Sequence, residues 1–198
     1  MLRLYRAAFS TNVERVALAL AHKGLAVESV WIEYSDRSEV EGVSGQPLVP
    51  VLVDGDEVLV ESMDIVRILD ERHPEPPLYP ADPARREELL VFVDWFNRVW
   101  KVWPNSIEAG VDVEECAAAM SRSLDRFETL LDGREYLMGD DFSAADIAAF
   151  PFLKFALLRE PDDDEPFHLI LEERQLLAPG RHERLGAWIR RVNERPRV

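Results

Sequence analysis

The chain has 198 residues, 47% of them apolar and 31% charged, the proportions of a globular protein with interior enough for one large domain or two small ones. Its 38 acidic residues against 23 basic ones leave a formal net charge of −15, which argues against nucleic acid and against an anionic membrane surface as partners. Cys116 is the only cysteine, so the chain has no internal disulfide framework, and a reducing, cytoplasmic setting is expected.

Met1 is followed directly by Leu-Arg-Leu-Tyr, which reads as a first strand at residues 2–6 rather than as a signal peptide. No apolar run approaches the roughly 18 residues that a membrane span needs. Val13, Val16, Ala17, Leu20 and Ala21 form an apolar stripe at helical spacing that ends at Gly24. Residues 27–33 read as a second strand. The polar stretch 34–46 predicts no firm element beyond a short helix. Residues 49–54 and 57–60 then alternate as two hairpin strands around Asp54-Gly55. Pro50 opens the first of them and has no N–H to give to a ladder. Ser62, followed by Ile65, Ile68 and Leu69, is a natural helix N-cap, and helix N-termini attract carboxylates. A strand edge and an anion seat placed side by side suit an extended, peptide-like ligand.

His73-Pro-Glu-Pro-Pro-Leu-Tyr-Pro80 carries four prolines in eight residues and cannot be helix or strand interior, so it reads as a linker. The expected domains are 1–76, mixed α/β, and 77–198, all helical. Asp82-Pro83 starts a helix with Pro at its first position, and Leu89, Phe92, Val93, Phe96, Val99, Trp100 and Trp103 continue it to Pro104. Met120, Leu124, Phe127 and Leu131 mark a second helix closed by Asp132-Gly133. Ser143-Ala-Ala-Asp146 is a capping box with Asp in place of Glu, flanked by Phe142 and Ile147 at the staple positions. Leu185, Trp188, Ile189 and Val192 stripe the last helix. The acidic run 162–165 reads as a solvated loop, Cys116 as a buried apolar side chain, and the four histidines have no metal-ligand spacing.

A strand-opening Val49-Pro50, a following Glu61-Ser62, a Pro-rich linker and the Ser143-Ala-Ala-Asp146 box in a helical second half together resemble the glutathione S-transferase family over nearly the whole length. The resemblance implies a thioredoxin-like N-terminal domain, an all-helical C-terminal domain, a cis Pro50 and a homodimer. It implies glutathione, or a related low-molecular-weight thiol, as co-substrate, with no metal. By the same likeness, Val49 would pair through its backbone with the cysteinyl part of that thiol. Glu61 and Ser62 would hold its γ-glutamyl end, with the carboxylate at the helix N-terminus. Members often carry a basic residue two positions before the Pro for the glycine carboxylate; Leu48 stands here. Gln46 is a nearby hydrogen-bond donor, and Arg15 and Arg37 are nearby cations.

The chemistry-bearing position falls in Phe9-Ser-Thr-Asn-Val-Glu-Arg-Val16. Cysteine-type relatives have their thiol where Ser10 stands, so thiol–disulfide exchange is not expected. A hydroxyl donating to the ligand's sulfur beside a helix N-terminus favours the thiolate, as in serine-type members. Tyr5 is the alternative, because tyrosine-type members use a phenol near the end of the first strand. Ser10 also fits a plain N-cap. Trp100 and Trp103 are the candidates for lining an apolar second-substrate pocket, although aromatic residues at such spacing usually form core. The reading is of an enzyme attacking an apolar electrophile or a peroxide with the bound thiolate; the alternative is a transferase-fold protein that binds partners without turnover.

Overall fold

The strands form where apolar residues alternate. In the computed structural model, which describes residues 1–198, they are β1 (Leu2–Arg6), β2 (Val27–Trp31), β3 (Val51–Asp54) and β4 (Glu57–Leu59), in the order β2-β1-β3-β4. β1 runs parallel to β2 and antiparallel to β3, and β3 is antiparallel to β4. The side-chain period of two sends Tyr5, Val51 and Val53 to one face, where they pack with Ile32 and Val40. Leu4 and Leu52 point the other way and are fully buried, as are Val16 and Leu20 of α1 (Thr11–His22) and Ile65 of α3 (Ser62–Arg72). Each such side chain contributes about 1.5–3 kcal/mol through burial. The short helix foreseen in the polar stretch is α2 (Ser38–Ser44).

The β3–β4 turn falls between the expected strands, although Asp54 itself belongs to the ladder and not to the turn. Asp54 pairs with Glu57 in the ladder, leaving Gly55 and Asp56 as the turn, with Gly55 at φ +62°. That backbone conformation suits a residue without Cβ. The Val49–Pro50 and Glu75–Pro76 bonds are cis.

Residues 1–78 form one compact unit together with 195–198, and residues 79–194 form the other. The tail of the first unit runs back along α1. Arg197 pairs with Glu14 at 3.0 Å, Arg195 donates to His22 Nδ1 at 2.8 Å, and Arg6 donates to the Val198 carbonyl at 2.7 Å. Arg6 also stacks over Trp31, 4.7 Å from the ring centre.

The second unit begins with α4 (Pro83–Trp95), capped by Asp82 as its sequence predicts. The stripe expected to end at Pro104 instead passes through a π-turn, Phe96–Trp100, into α5 (Val102–Glu108). Pro104 lacks the N–H that would bond the Trp100 carbonyl, and the wider turn, closed by Lys101 N–H to the Phe96 carbonyl at 3.0 Å, carries the chain past it. Then follow α6 (Val113–Leu130), α7 (Ala144–Leu153), α8 (Pro166–Arg174) and α9 (Glu183–Asn193). Cys116 on α6 is a buried free thiol.

The capping box of α7 is formed and wholly buried. Asp146 accepts from the Ser143 N–H and hydroxyl, the Leu137 N–H and the Trp188 indole, all at 2.8–2.9 Å. Burial pushes its carboxyl up from the usual range, and these four donors pull it back. No helix is long and apolar enough to cross a membrane.

Candidate functional site

Sheet topology brings three separate segments to one end of the first unit. β1 ends toward Ser10, β3 starts just after Val49-Pro50, and β4 ends toward Glu61-Ser62. Because β3 is antiparallel to both neighbours, the carboxyl ends of β1 and β4 lie beside its amino end. This common end is the candidate site.

Ser10 caps α1 with extended backbone, φ −62° and ψ 114°, and is half-buried. Its Oγ accepts from the Val13 N–H at 3.4 Å, which leaves the hydroxyl proton free to donate elsewhere. Val49 precedes the first laddered residue, Val51, and its backbone makes neither a ladder nor a turn hydrogen bond. A peptide-like guest can therefore use both its N–H and its C=O.

Glu61 has φ +64° and ψ 107°, a conformation that side-chain-bearing residues rarely adopt and that costs on the order of 1–3 kcal/mol. It is exposed, and its side chain makes no cap. The N–H groups of Ser62, Met63 and Asp64 have no acceptor within the chain, so the mouth of α3 is open to an anion. Ser62 is buried beneath that mouth and accepts from Arg15 Nη1 at 3.3 Å; the same nitrogen donates to Asn12 Oδ1 at 3.3 Å. Arg15 is only 1% exposed, and the loss of water lowers its pKa to about 9.

Gln46 is half-buried, its backbone held by the Ser44 hydroxyl and its side-chain amide without a partner in the chain. Arg37 leans over the adjoining segment, with Nη1 3.4 Å from the Pro47 carbonyl and its guanidinium 4.5 Å from the centre of the Tyr34 ring. Leu48 is 59% exposed and supplies no charge.

Two candidates change standing. Tyr5 is 2% exposed, with its ring in the sheet core among Ile32, Val40, Val51 and Val53, so the hydroxyl at the mouth of α1 is that of Ser10. Trp100 is fully buried in the helical unit, stacked on Phe96 at 4.7 Å, and its indole N–H donates to Ser123 at 3.0 Å. A ring enclosed on all sides offers no face to a substrate, and Trp100 is a core residue. Trp103 remains half-buried against Trp95 and Trp100. No three His, Cys, Asp or Glu side chains converge in a way that could hold a metal ion.

Arg15 is the site residue that no motif assigned. Part of its signal was available, since it is the one cation between Val13 and Ala21, a segment that apart from it and Glu14 is apolar. What sequence lacked was its partner Ser62, 47 positions away.

Comparison with known proteins gives the family of both parts of the chain. Residues 4–77 match the family model of the glutathione S-transferase N-terminal domain, and residues 110–191 match that of the glutathione S-transferase C-terminal domain. Glutathione S-transferase Z1 of Arabidopsis thaliana is 29% identical over 181 residues, covering 84% of this chain and 82% of the relative. A stringent starvation protein A homolog of Coxiella burnetii is 29% identical over 156 residues, covering 77% and 75%. The crystal structure of a glutathione S-transferase from Rhodospirillum rubrum superposes with a TM-score of 0.75 at 27% identity, covering 99% of this chain and 89% of that one.

Proposed function

This chain belongs to the glutathione S-transferase family, and from that premise we propose that it activates the thiol of glutathione, or of a closely related low-molecular-weight thiol, for attack on an apolar electrophile or a peroxide. The observation that carries the reading is the Ser10 hydroxyl. It caps the amino end of α1 as an acceptor and keeps its own proton to donate, on the sheet end that also presents Val49 and the open mouth of α3. In this reading the Val49 backbone pairs with the cysteinyl part of the thiol. Glu61 and Ser62 hold the γ-glutamyl end, and Gln46 with Arg37 faces the far carboxylate in place of the basic residue missing at Leu48.

A free thiol has a pKa of about 8.5, so little of it is ionised at neutral pH. A hydroxyl donating to the sulfur, next to the positive end of a helix, favours the anion and lowers that value. In conjugation, the sulfur lone pair forms the new carbon–sulfur bond. The leaving group departs with its electron pair, and the thiol proton has already passed to solvent. Trp103 is the remaining candidate for contact with the electrophile.

The working form in this reading is a cytoplasmic homodimer. α4 has Leu90 and Val91 exposed on its outer face, over a groove of about 690 Å³ lined also by Trp95 and Val99 and by the charged Arg86, Glu87 and Asp94. Such a face fits burial against a second copy.

Replacing Ser10 by Ala tests the chemistry. With a chlorinated nitroaromatic as electrophile, kcat/KM is expected to fall about 100-fold while glutathione affinity changes little, the size typical of losing one positioned donor to a developing anion. Ser10→Ala matching wild type sinks the mechanism. A second reading, binding of partners without turnover, draws on the exposed Leu48 and on a relative described as a stringent starvation protein A homolog. Wild-type protein that binds glutathione yet turns over no electrophile favours it.

A further inference from the structure

Residues 195–198 form a strap laid along α1 in a fixed direction. Arg195 contacts His22 at the last turn of α1, Arg197 reaches Glu14 in the first, and the Val198 carbonyl accepts from Arg6 at the end of β1. The strap thus runs toward the sheet end that carries Ser10. Arg197 is held through all of its guanidinium nitrogens. Nε and Nη2 donate to Glu14 Oε1 at 3.2 and 3.0 Å, and Nη1 donates to the Arg195 carbonyl at 2.6 Å. The ion pair is largely shielded, with 24% of the Arg197 side chain and 15% of the Glu14 side chain exposed.

The backbone N–H of Glu14 closes the first helical hydrogen bond of α1, onto the Ser10 carbonyl at 3.0 Å. A carboxylate in that turn favours the helix but opposes a second anion at the same helix end. Glu14 lies about 6 Å along the axis from Ser10, and helical side chains lean toward the amino end. The other charged groups around that end are Arg15 on α1, Arg6 on β1, and Glu61 and Asp64 at the start of α3. Glu61 and Asp64 are exposed, and water and salt screen them. Glu14 is the shielded acid, and Arg197 is the cation set against it. Resting on the reading of Ser10 as the group that activates a bound thiol, we propose that Arg197 is a positioning residue for that ionisation: by offsetting Glu14 it keeps the amino end of α1 positive enough to hold a thiolate.

A unit charge about 10 Å from the sulfur, at an effective dielectric of about 20 to 40, moves a pKa by about half to one unit. Ultraviolet absorbance of the bound thiolate reads that shift, titrated upward from about pH 6.5 so that His22 stays neutral. Arg197→Gln is expected to raise the pKa of bound glutathione by that amount. At saturating glutathione, kcat/KM for a chlorinated nitroaromatic should fall about 3- to 10-fold below the new pKa and rejoin wild type well above it. Arg197→Lys keeps the charge and should titrate close to wild type. Adding Glu14→Gln to Arg197→Gln should bring the pKa back, because it removes the charge that Arg197 offsets.

A pKa unmoved in Arg197→Gln, or a rate lowered equally at every pH, makes the strap a fastener alone and overturns the proposal. So does a raised pKa that Glu14→Gln fails to bring back. Should Arg197→Gln not fold, the comparison moves to the Glu14→Gln background, where removing the Arg197 charge must still raise the pKa. The reading of the site fails separately, if bound glutathione titrates like the free thiol or if Ser10→Ala leaves its pKa unchanged. A lowered pKa that depends on Ser10 and ignores Arg197 overturns the proposal alone.

Discussion

Lys23 shows how much a single buried charge depends on its partners. Its side chain is fully enclosed, with Nζ 2.6 Å from both the Asp70 carboxylate and the Pro76 carbonyl, and Asp70 also accepts from the Leu78 N–H at 2.7 Å. The pair joins the end of α1 to α3 and to the proline-rich segment. Removing one member strands the other, which typically costs about 3–5 kcal/mol. Lys23→Met should therefore lower the free energy of unfolding by about that amount in urea titration. Adding Asp70→Asn should restore part of the loss, because it removes the stranded charge while leaving an oxygen for Leu78. Neither residue announces this role in sequence, where Lys23 reads only as a polar residue before a helix-ending glycine.

At the scale of elements, the strap formed by residues 195–198 lies along α1, and its hold depends on pH. Arg195 donates to His22 Nδ1, so the contact requires a neutral imidazole. Burial, the charge of Arg195 and then that of Lys23 lower the pKa of His22, against opposing pulls from the Pro77 backbone and Asp70. With the folded value below the unfolded one of about 6.5, the unfolded chain binds more protons between the two. The stabilisation is thus present above pH 6.5 and lost as pH falls toward the folded value. The melting temperature should drop on acidification from about pH 7 to pH 5, and His22→Gln should make that drop shallower.

Elements whose reason is local were the ones legible beforehand. Pro50, the Asp82-Pro83 start and the Ser143–Asp146 box each carry their own signature, and each appears in place. The strap and α8 do not, because each depends on contacts distant in the chain, and the π-turn does not because a proline in a helical stripe reads as a stop as readily as a widened turn. α8 also lacks a clear apolar stripe and follows an acidic run that reads as loop. In the candidate site, Ser10, Val49, Glu61 and Ser62 could be picked by pattern. For Arg15 the charge was visible but its partner Ser62 was not, and for Trp100 helical spacing placed the ring on a face without saying how deep it sits.

For the whole molecule, each of the two units has its own buried interior, and α4 is where a second copy would add further burial. A charge placed there should block association while sparing both interiors, because Val91 is 64% exposed. Val91→Glu is expected to halve the mass seen by light scattering and leave far-ultraviolet circular dichroism unchanged. A wild-type mass of one chain would end the dimer reading. The helical unit also holds the molecule's single sulfhydryl, Cys116, at 8% exposure on α6. Oxidants and alkylating reagents reach that largely shielded sulfur faster whenever α6 loosens from its packing, so its modification rate is a clock for local opening. Any thiol chemistry at the sheet end of the other unit belongs to the guest.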